Sequence, residues 1–351
     1  MAPANRRCHP LTSEGPGARL NGPMDLFLTL DAGGTSTRAI VHTADGVALG
    51  YGVAGGGNPT ASGAEAVARE LRTATASALG MAHVSPGQVT QALAAMAGSA
   101  VSIAGVEEGL ETLGVRAPLQ LGSDLEAIFA SGTASLDGVA LVSGTGAAAV
   151  VVQGGTTTAR SDGRGWLLGD AGSGYWIARR VIRAVTADLD RRGPRTALTD
   201  ALLPAAGVVG DRNTDKDVLL DQLVALLYAI PAPGTARFAP LAFDLAGTDH
   251  VAARIVDDAG DKLATTVLAL HSADRSVPLV AGGSVLFRQE ALRTRVAGLL
   301  RGSGWSGSMH PVSDGTVGAI CMNLRSSGVI VDAAMHPRIV QSLHEIRAPR
   351  P

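Results

Sequence analysis

Twice in this chain an apolar run breaks into a glycine–threonine turn and resumes as a second apolar run. LFLTL (26–30) leads through DAGGTST into RAIVHT (38–43), then Asp45-Gly46 and VALGYG (47–52). Far downstream, GVALVSGTGAAAVVVQGG (138–155) repeats the theme as strand, Gly-Thr-Gly turn, strand and glycine turn. Asp-Gly between apolar runs is a strong hairpin signal. A weak internal repeat of this kind limits the architectures open to the chain. It predicts two α/β domains, each opening on antiparallel strands.

The segments between these hairpins fit that plan. Residues 62–80 have helical spacing, ALAAMAG (92–98) reads as a buried strand and GVEEGLETLG (105–114) as a helix. APLQLGSD (117–124) reads as a strand ending in an acid, followed by a helix from LEAIFASG (125–132). Helices dominate from Gly172 to about Ala273. SVPLVAGG (276–283) is a strand ending in glycines, and SVLFRQEALRTRVAGLLRG follows as one helix. A last helix pair is expected near 315–328 and 332–346. The expected layout is a disordered tail over 1–24, domains over 25–137 and 138–330, and a C-terminal helix and tail over 331–351. The tail is polar with scattered Pro and Gly, and Met24 reads as the functional start.

Composition narrows the function. Net charge is −2 and only 17% of residues are charged, so neither nucleic acid nor an anionic membrane is indicated as a partner. No apolar run reaches roughly 18 residues, so no membrane-spanning helix is expected. Cys8 and Cys321 form no CxxC, which argues against a disulfide framework and fits a reducing compartment. A P-loop is excluded: there is no GxxxxGK[ST], and Lys216 is the first lysine. HExxH and GxSxG are also absent. GSGWSG (302–307) matches GxGxxG but follows a helix, so it reads as a chance loop.

What remains are glycine turns and isolated acids. In Asp31-Ala32-Gly33-Gly34-Thr35, glycines let backbone N–H groups converge on an anion, and an acid at the strand end suits a hydrated Mg²⁺. An ordinary hairpin would look the same. Ser143-Gly144-Thr145-Gly146 repeats that chemistry. Asp124 sits where α/β folds place reactive groups, and an ionised acid there can take a hydroxyl proton. A plain helix N-cap is the alternative. Asp170, in a glycine-rich loop opening a helix, suits a polyol or again a cap, and Trp166 and Trp176 beside it read as packing residues. Asn58 in GGGNP and Gly282-Gly283 after PLVA are either ligand-facing turns or simple ones.

Taken in order, LDAGGT, GGGNP, GSD, VSGTG, LLGDAGSGYWIARRVIR (167–183) and VAGG resemble the sugar-kinase, actin and heat-shock ATPase superfamily. They are most similar to N-acetylglucosamine kinases and the related activator-type ATPases of benzoyl-CoA reductase. The similarity spans residues 26 to about 325. It implies two ribonuclease H-like domains with an interdomain ATP and sugar cleft. It implies ATP contacts at Gly33, Gly34, Thr35, Gly144, Thr145, Gly146, Gly282 and Gly283, with Asp31 near Mg²⁺. It implies Asp124 as the base facing a sugar 6-hydroxyl, with Asn58, Asp124 and Asp170 as sugar ligands. The implied activity is ATP-dependent phosphorylation of an amino sugar, N-acetylglucosamine first, by a cytoplasmic enzyme, with a homodimer left open. A glucosamine or other hexose kinase and a non-catalytic ATP- and sugar-binding homologue are the alternatives. An activator of a radical dehydratase would carry paired cysteines for a cluster, which Cys8 and Cys321 do not supply. A sugar-sensing repressor would need a winged helix and a zinc-binding cysteine cluster.

Four positions depart from the family pattern. Ala147 and Ala148 stand where Ser and, in amino-sugar kinases, Asn usually follow the second GTG. Arg164 replaces a common Trp, and Ala171 makes GDAGS of the usual GDEGS. Each lost hydrogen bond removes about 0.5–1.5 kcal/mol, so sugar contacts are expected to be retuned. Arg164 suits an acidic or phosphorylated substrate.

Overall fold

A computed structural model describes residues 25–33, 36–56, 64–96 and 103–348. Gly34, Thr35 and Asn58 lie outside the described residues. By its contacts the described chain divides into two units. One holds residues up to 127, 154–156 and those from 319 onward; the other holds 128–153 and 157–318.

The first unit contains strands β1 (Leu26–Ala32), β2 (Thr37–Thr43), β3 (Ala48–Ala54), β4 (Val89–Met96) and β5 (Leu119–Ser123) in the sheet order β3-β2-β1-β4-β5. β1, β2 and β3 form an antiparallel meander, while β4 and β5 run parallel to β1. Parallel neighbours require crossovers. Helices α1 (Ala64–Ala82) and α2 (Ile103–Thr112) occupy the connections. Strand alternation separates the two faces. Leu28, Leu30 and Ala32 bury against Val67, Leu71 and Ala74 of α1 and Val106 and Leu110 of α2. β3 lies so close to α1 that a Cβ on Gly50 or Gly52 would stand 2.0 Å from a helix carbonyl oxygen.

The opposite face of β1 carries Phe27, Thr29 and Asp31. It is tied to helix α11 (Thr316–Ser326), one of the last elements of the chain. Asn323 donates from Nδ2 to the Leu28 carbonyl at 3.0 Å and to Thr29 Oγ1 at 2.8 Å. Gln91 on β4 reaches Asn323 Oδ1 at 2.9 Å and Ser326 Oγ at 2.7 Å. These buried polar contacts explain why residues from 319 onward group with the first unit, whereas the sequence reading ran the second domain to residue 330. Helix α12 (Met335–Arg347) also joins the first unit, where the Ala48 amide bonds Ser342 Oγ at 2.9 Å.

The second unit repeats the strand order. Its sheet runs β10-β9-β6-β7-β8, from β6 (Gly138–Ser143), β7 (Ala147–Gln153), β8 (Thr156–Asp162), β9 (Leu279–Gly282) and β10 (Met309–Pro311). β7 is antiparallel to β6, and β9 is parallel to it. Each sheet is therefore ribonuclease H-like. The core joins Val139, Leu141, Ala149 and Val151 to α4 (Gly174–Leu189) through Ile177, Ala178 and Val181, and to α8 (His250–Leu268) through Ile255, Ala259 and Leu263. Burying each large apolar side chain contributes about 1.5–3 kcal/mol.

Three local readings change. The boundary between the units falls inside α3 (Asp124–Gly132), between residues 127 and 128, rather than near 135–140. β8 was not anticipated, because TTTARSD lies at the sheet edge with no apolar face to mark it. The helix expected after Gly283 is two, α9 (Ser284–Arg288) and α10 (Glu290–Gly302), since Gln289 leaves helical backbone at φ −104°, ψ 88°.

Candidate active site

In the first unit the described candidates Asp31, Gly33 and Asp124 lie at one edge of the sheet. β1, β4 and β5 are parallel, so their C-terminal ends share an edge. The register runs Ala32 to Met96 to Ser123, which sets Gly33 level with Asp124. Two strand spacings separate them, about 10 Å. The Gly33 amide donates to the Ser36 carbonyl at 3.0 Å. Asp31 is buried at the end of β1 and pairs with Arg38 at 3.4 Å.

Asp124 opens α3, and the cap function falls to its neighbour. The Leu125 amide donates to Ser123 Oγ at 3.2 Å. A carboxylate in the first turn of a helix is stabilised in its ionised form by the helix dipole, which suits a proton acceptor.

In the second unit the GTG turn, the Gly282-Gly283 corner and the loop before α4 interlock. The α4 amides of Gly174 and Tyr175 donate to the carbonyls of Gly144 (2.7 Å) and Thr145 (3.3 Å). Ser143 Oγ donates to the Gly172 carbonyl at 2.9 Å. Gly283 has φ +88°, and a Cβ there would lie 2.5 Å from the Ser143 carbonyl oxygen, so only glycine fits. A Cβ on Gly146 would lie 3.0 Å from Asp170 Oδ2, a closer fit than most side chains accept.

Asp170 is thus seated beneath the GTG turn, 8% exposed and at φ +59°. Its carboxylate accepts hydrogen bonds from the Ala147 and Gly165 amides. Burial raises its pKa, the two amides oppose that rise, the Asp162 charge adds to it and Arg160 subtracts. Ala147 and Ala148 are themselves buried in β7.

Asp162 carries no signal in the sequence beyond an Asp-Gly pair, because β8 ahead of it was not recognised. Its Oδ1 accepts from the amides of Gly163 and Asp170, both at 2.7 Å, and its Oδ2 from Ala171 at 2.8 Å. Arg160 holds the Asp162 carbonyl from Nε at 3.1 Å and also reaches the Gly163 carbonyl. The loop these contacts close presents Arg164, Trp166, Leu167 and Leu168 to solvent. Trp166 is 42% exposed, edge-on to the Tyr175 ring at 5.6 Å between centroids, so it is not a core residue. Trp176 is half-buried under the Arg180 guanidinium, 3.7 Å from its ring centroid.

The two sheets and the turns at their edges define a protein of the ribonuclease H-like fold. The chain belongs to the BadF/BadG/BcrA/BcrD ATPase family, whose model matches residues 28–323. Among curated proteins it is 28% identical over 189 residues to an N-acetylmuramic acid/N-acetylglucosamine kinase of Clostridium acetobutylicum, matching 51% of this chain and 60% of that protein. It is 32% identical over 158 residues to an N-acetyl-D-glucosamine kinase of Dictyostelium discoideum, matching 44% of this chain and 47% of that one. The chain therefore spans about half the length of these curated relatives. A solved structure from Porphyromonas gingivalis, described as a candidate N-acetylglucosamine kinase, shares the fold with a TM-score of 0.66 at 21% identity, over 86% of this chain and 99% of that one. Among the described residues no helix is long and apolar enough to cross a membrane.

Proposed function

We propose that this protein is an ATP-dependent kinase acting on the 6-hydroxyl of an amino sugar, with N-acetylglucosamine the leading substrate. The observation that carries this reading is the placement of Asp124 level with the Gly33 turn on one sheet edge. That arrangement suits a proton acceptor beside a phosphate-binding turn. Asp124 orients the sugar hydroxyl and receives its proton as the oxygen attacks the γ-phosphorus. The bond from that phosphorus to the β-phosphate oxygen breaks, and ADP leaves. Phosphoryl transfer depends on positioning and charge neutralisation more than on covalent chemistry. Gly33, Gly34 and Thr35, and separately Gly144, Thr145 and Gly146, form the phosphate-facing turns in this reading, with the Gly33 and Gly144 amides spent on the Ser36 carbonyl at 3.0 Å and the Gly146 carbonyl at 2.9 Å. Gly282 and Gly283 give a flat approach for the adenosine side.

Asp31 would hold Mg²⁺ through water as a hard oxygen donor at the strand end, in competition with its 3.4 Å ion pair to Arg38. When bound, the ion neutralises phosphate charge. Asn58 and Asp170 complete the sugar contacts in this reading, which carries with it a cytoplasmic location.

Arg164 supports a second reading, an acidic amino sugar such as N-acetylmuramic acid. It is exposed on the same loop as Asp170, and one curated relative is named for that sugar. A coupled ADP-release assay over glucosamine, N-acetylglucosamine, glucose and N-acetylmuramic acid tests both. N-acetylglucosamine-stimulated turnover abolished in Asp124→Asn supports the leading reading. A preference for N-acetylmuramic acid lost in Arg164→Ala favours the second. No stimulation by any sugar overturns both.

A further inference from the structure

We propose that Asp162 is the positioning residue for Asp170, fixing where that carboxylate sits beneath the GTG turn. The inference rests on the reading of Asp170 as a sugar ligand, but its geometry stands apart from any activity. Asp162 and Asp170 are both in the left-handed backbone region, at φ +60° and +59°, where non-glycine residues are uncommon. Such strain persists only where the surroundings over-determine it. Here the surroundings are the Asp162 carboxylate itself, which takes the amides of Gly163, Asp170 and Ala171. The bond to the Asp170 amide holds that residue's backbone, and the bond to Ala171 holds the next peptide. Gly169 is packed against the same oxygen, where a Cβ would stand 2.1 Å from Asp162 Oδ1. Arg160 closes the other side through the Asp162 and Gly163 carbonyls. With its backbone held, the Asp170 side chain has one place to go, against Gly146 and the Ala147 amide.

A loop-closing role alone would leave the sugar KM unmoved, and would leave Asp170's titration unmoved in Asp162→Glu, which keeps the charge and displaces the two acceptor oxygens. The charged groups acting on Asp170 are Asp162, which raises its pKa, and Arg160, which lowers it, on top of the larger effect of burial. Removing each charge therefore has opposite consequences. The test is a carbon-13 side-chain carboxyl titration of the full chain, with Asp170 assigned by difference from Asp170→Asn. Asp162→Asn keeps one acceptor oxygen but turns an amide toward the Ala171 N–H; the Asp170 midpoint should move down. In Arg160→Gln it should move up. Midpoints unchanged in both variants would overturn the proposal, and so would shifts of the same sign. If Asp162→Asn fails to fold, Asp162→Glu takes its place: a moved Asp170 midpoint supports positioning, and an unmoved one overturns it. Where the wild type phosphorylates a sugar, Asp162→Asn should raise the sugar KM about tenfold, as expected for loss of one well-placed hydrogen bond, with the ATP KM within about twofold. A wild type that turns over no sugar removes the sugar-ligand reading while the titrations still decide the role of Asp162.

Discussion

His42 makes the stability of the first unit depend on pH in a calculable way. Its ring is fully buried, stacked on Phe27 at 5.3 Å between centroids with 10° between planes. Nδ1–H donates to the Thr43 carbonyl at 3.0 Å, and Nε2 accepts from Thr29 Oγ1–H at 2.8 Å. Thr29 Oγ1 in turn accepts from Asn323. That chain of donors and acceptors is complete only when the ring is neutral. Burial lowers the His42 pKa from 6.5 to about 4, with the Thr43 carbonyl and Asp45 opposing the shift. Between those values the unfolded chain binds a proton that the folded one refuses, so folding stability rises with pH there. The contribution is present above pH 6.5 and is lost as pH falls toward 4. One pKa unit corresponds to about 1.4 kcal/mol, so roughly 2–3 kcal/mol disappears between about pH 7.5 and about pH 4.5. His42→Gln removes the titrating group and keeps a neutral polar side chain. Native-state hydrogen exchange of the β1 and β2 amides should show the gap between wild type and variant shrinking by that amount at the lower pH. A gap that stays constant with pH would refute the reasoning.

The remaining expectations are simpler. Asp124→Asn should lower kcat by about 10²–10⁴, the usual contribution of a positioned general base, with an unchanged melting temperature by circular dichroism. Gly283→Ala forces a Cβ against the Ser143 carbonyl at φ +88°; it should cost at least about 1–3 kcal/mol in urea unfolding and weaken ATP binding by calorimetry. Asn323→Leu removes the amide bonds to the Leu28 carbonyl and Thr29 Oγ1 and one of Gln91's partners, and should destabilise the first unit by about 1–3 kcal/mol, read from exchange of the β1 amides. Burial pushes the Cys321 thiol up to about 12, so site-resolved mass spectrometry should find it unalkylated by iodoacetamide near neutral pH until the protein is unfolded.

Much of the fold was legible because each sheet's central strands are apolar runs cut by glycine turns. β1, β2, β6 and β7 all carry that mark, and the repeat of one hairpin theme foretold two sheets of one order. β8 was invisible because an edge strand facing solvent needs no apolar residue. The return of α11 to the first unit was hidden too, since it depends on amide side chains, Asn323 and Gln91, that leave no periodic trace. In the candidate site, glycines announced the turns: the crowding at Gly146 and Gly283 is the physical reason for the motif. Asp170 could be singled out from its loop, but not its seat under the GTG turn. That seat is set by Asp162, whose three partners are all backbone amides and so have no residue identity to read.

The lock between Asn323 and β1 has a consequence for synthesis. The strands of the first sheet are complete once residue 123 has emerged, yet the side chain that satisfies Leu28 and Gln91 comes 200 residues later, from 323 minus 123. At roughly 5–20 residues per second on the ribosome, that nascent sheet waits on the order of 10–40 seconds with polar groups on one face unmatched.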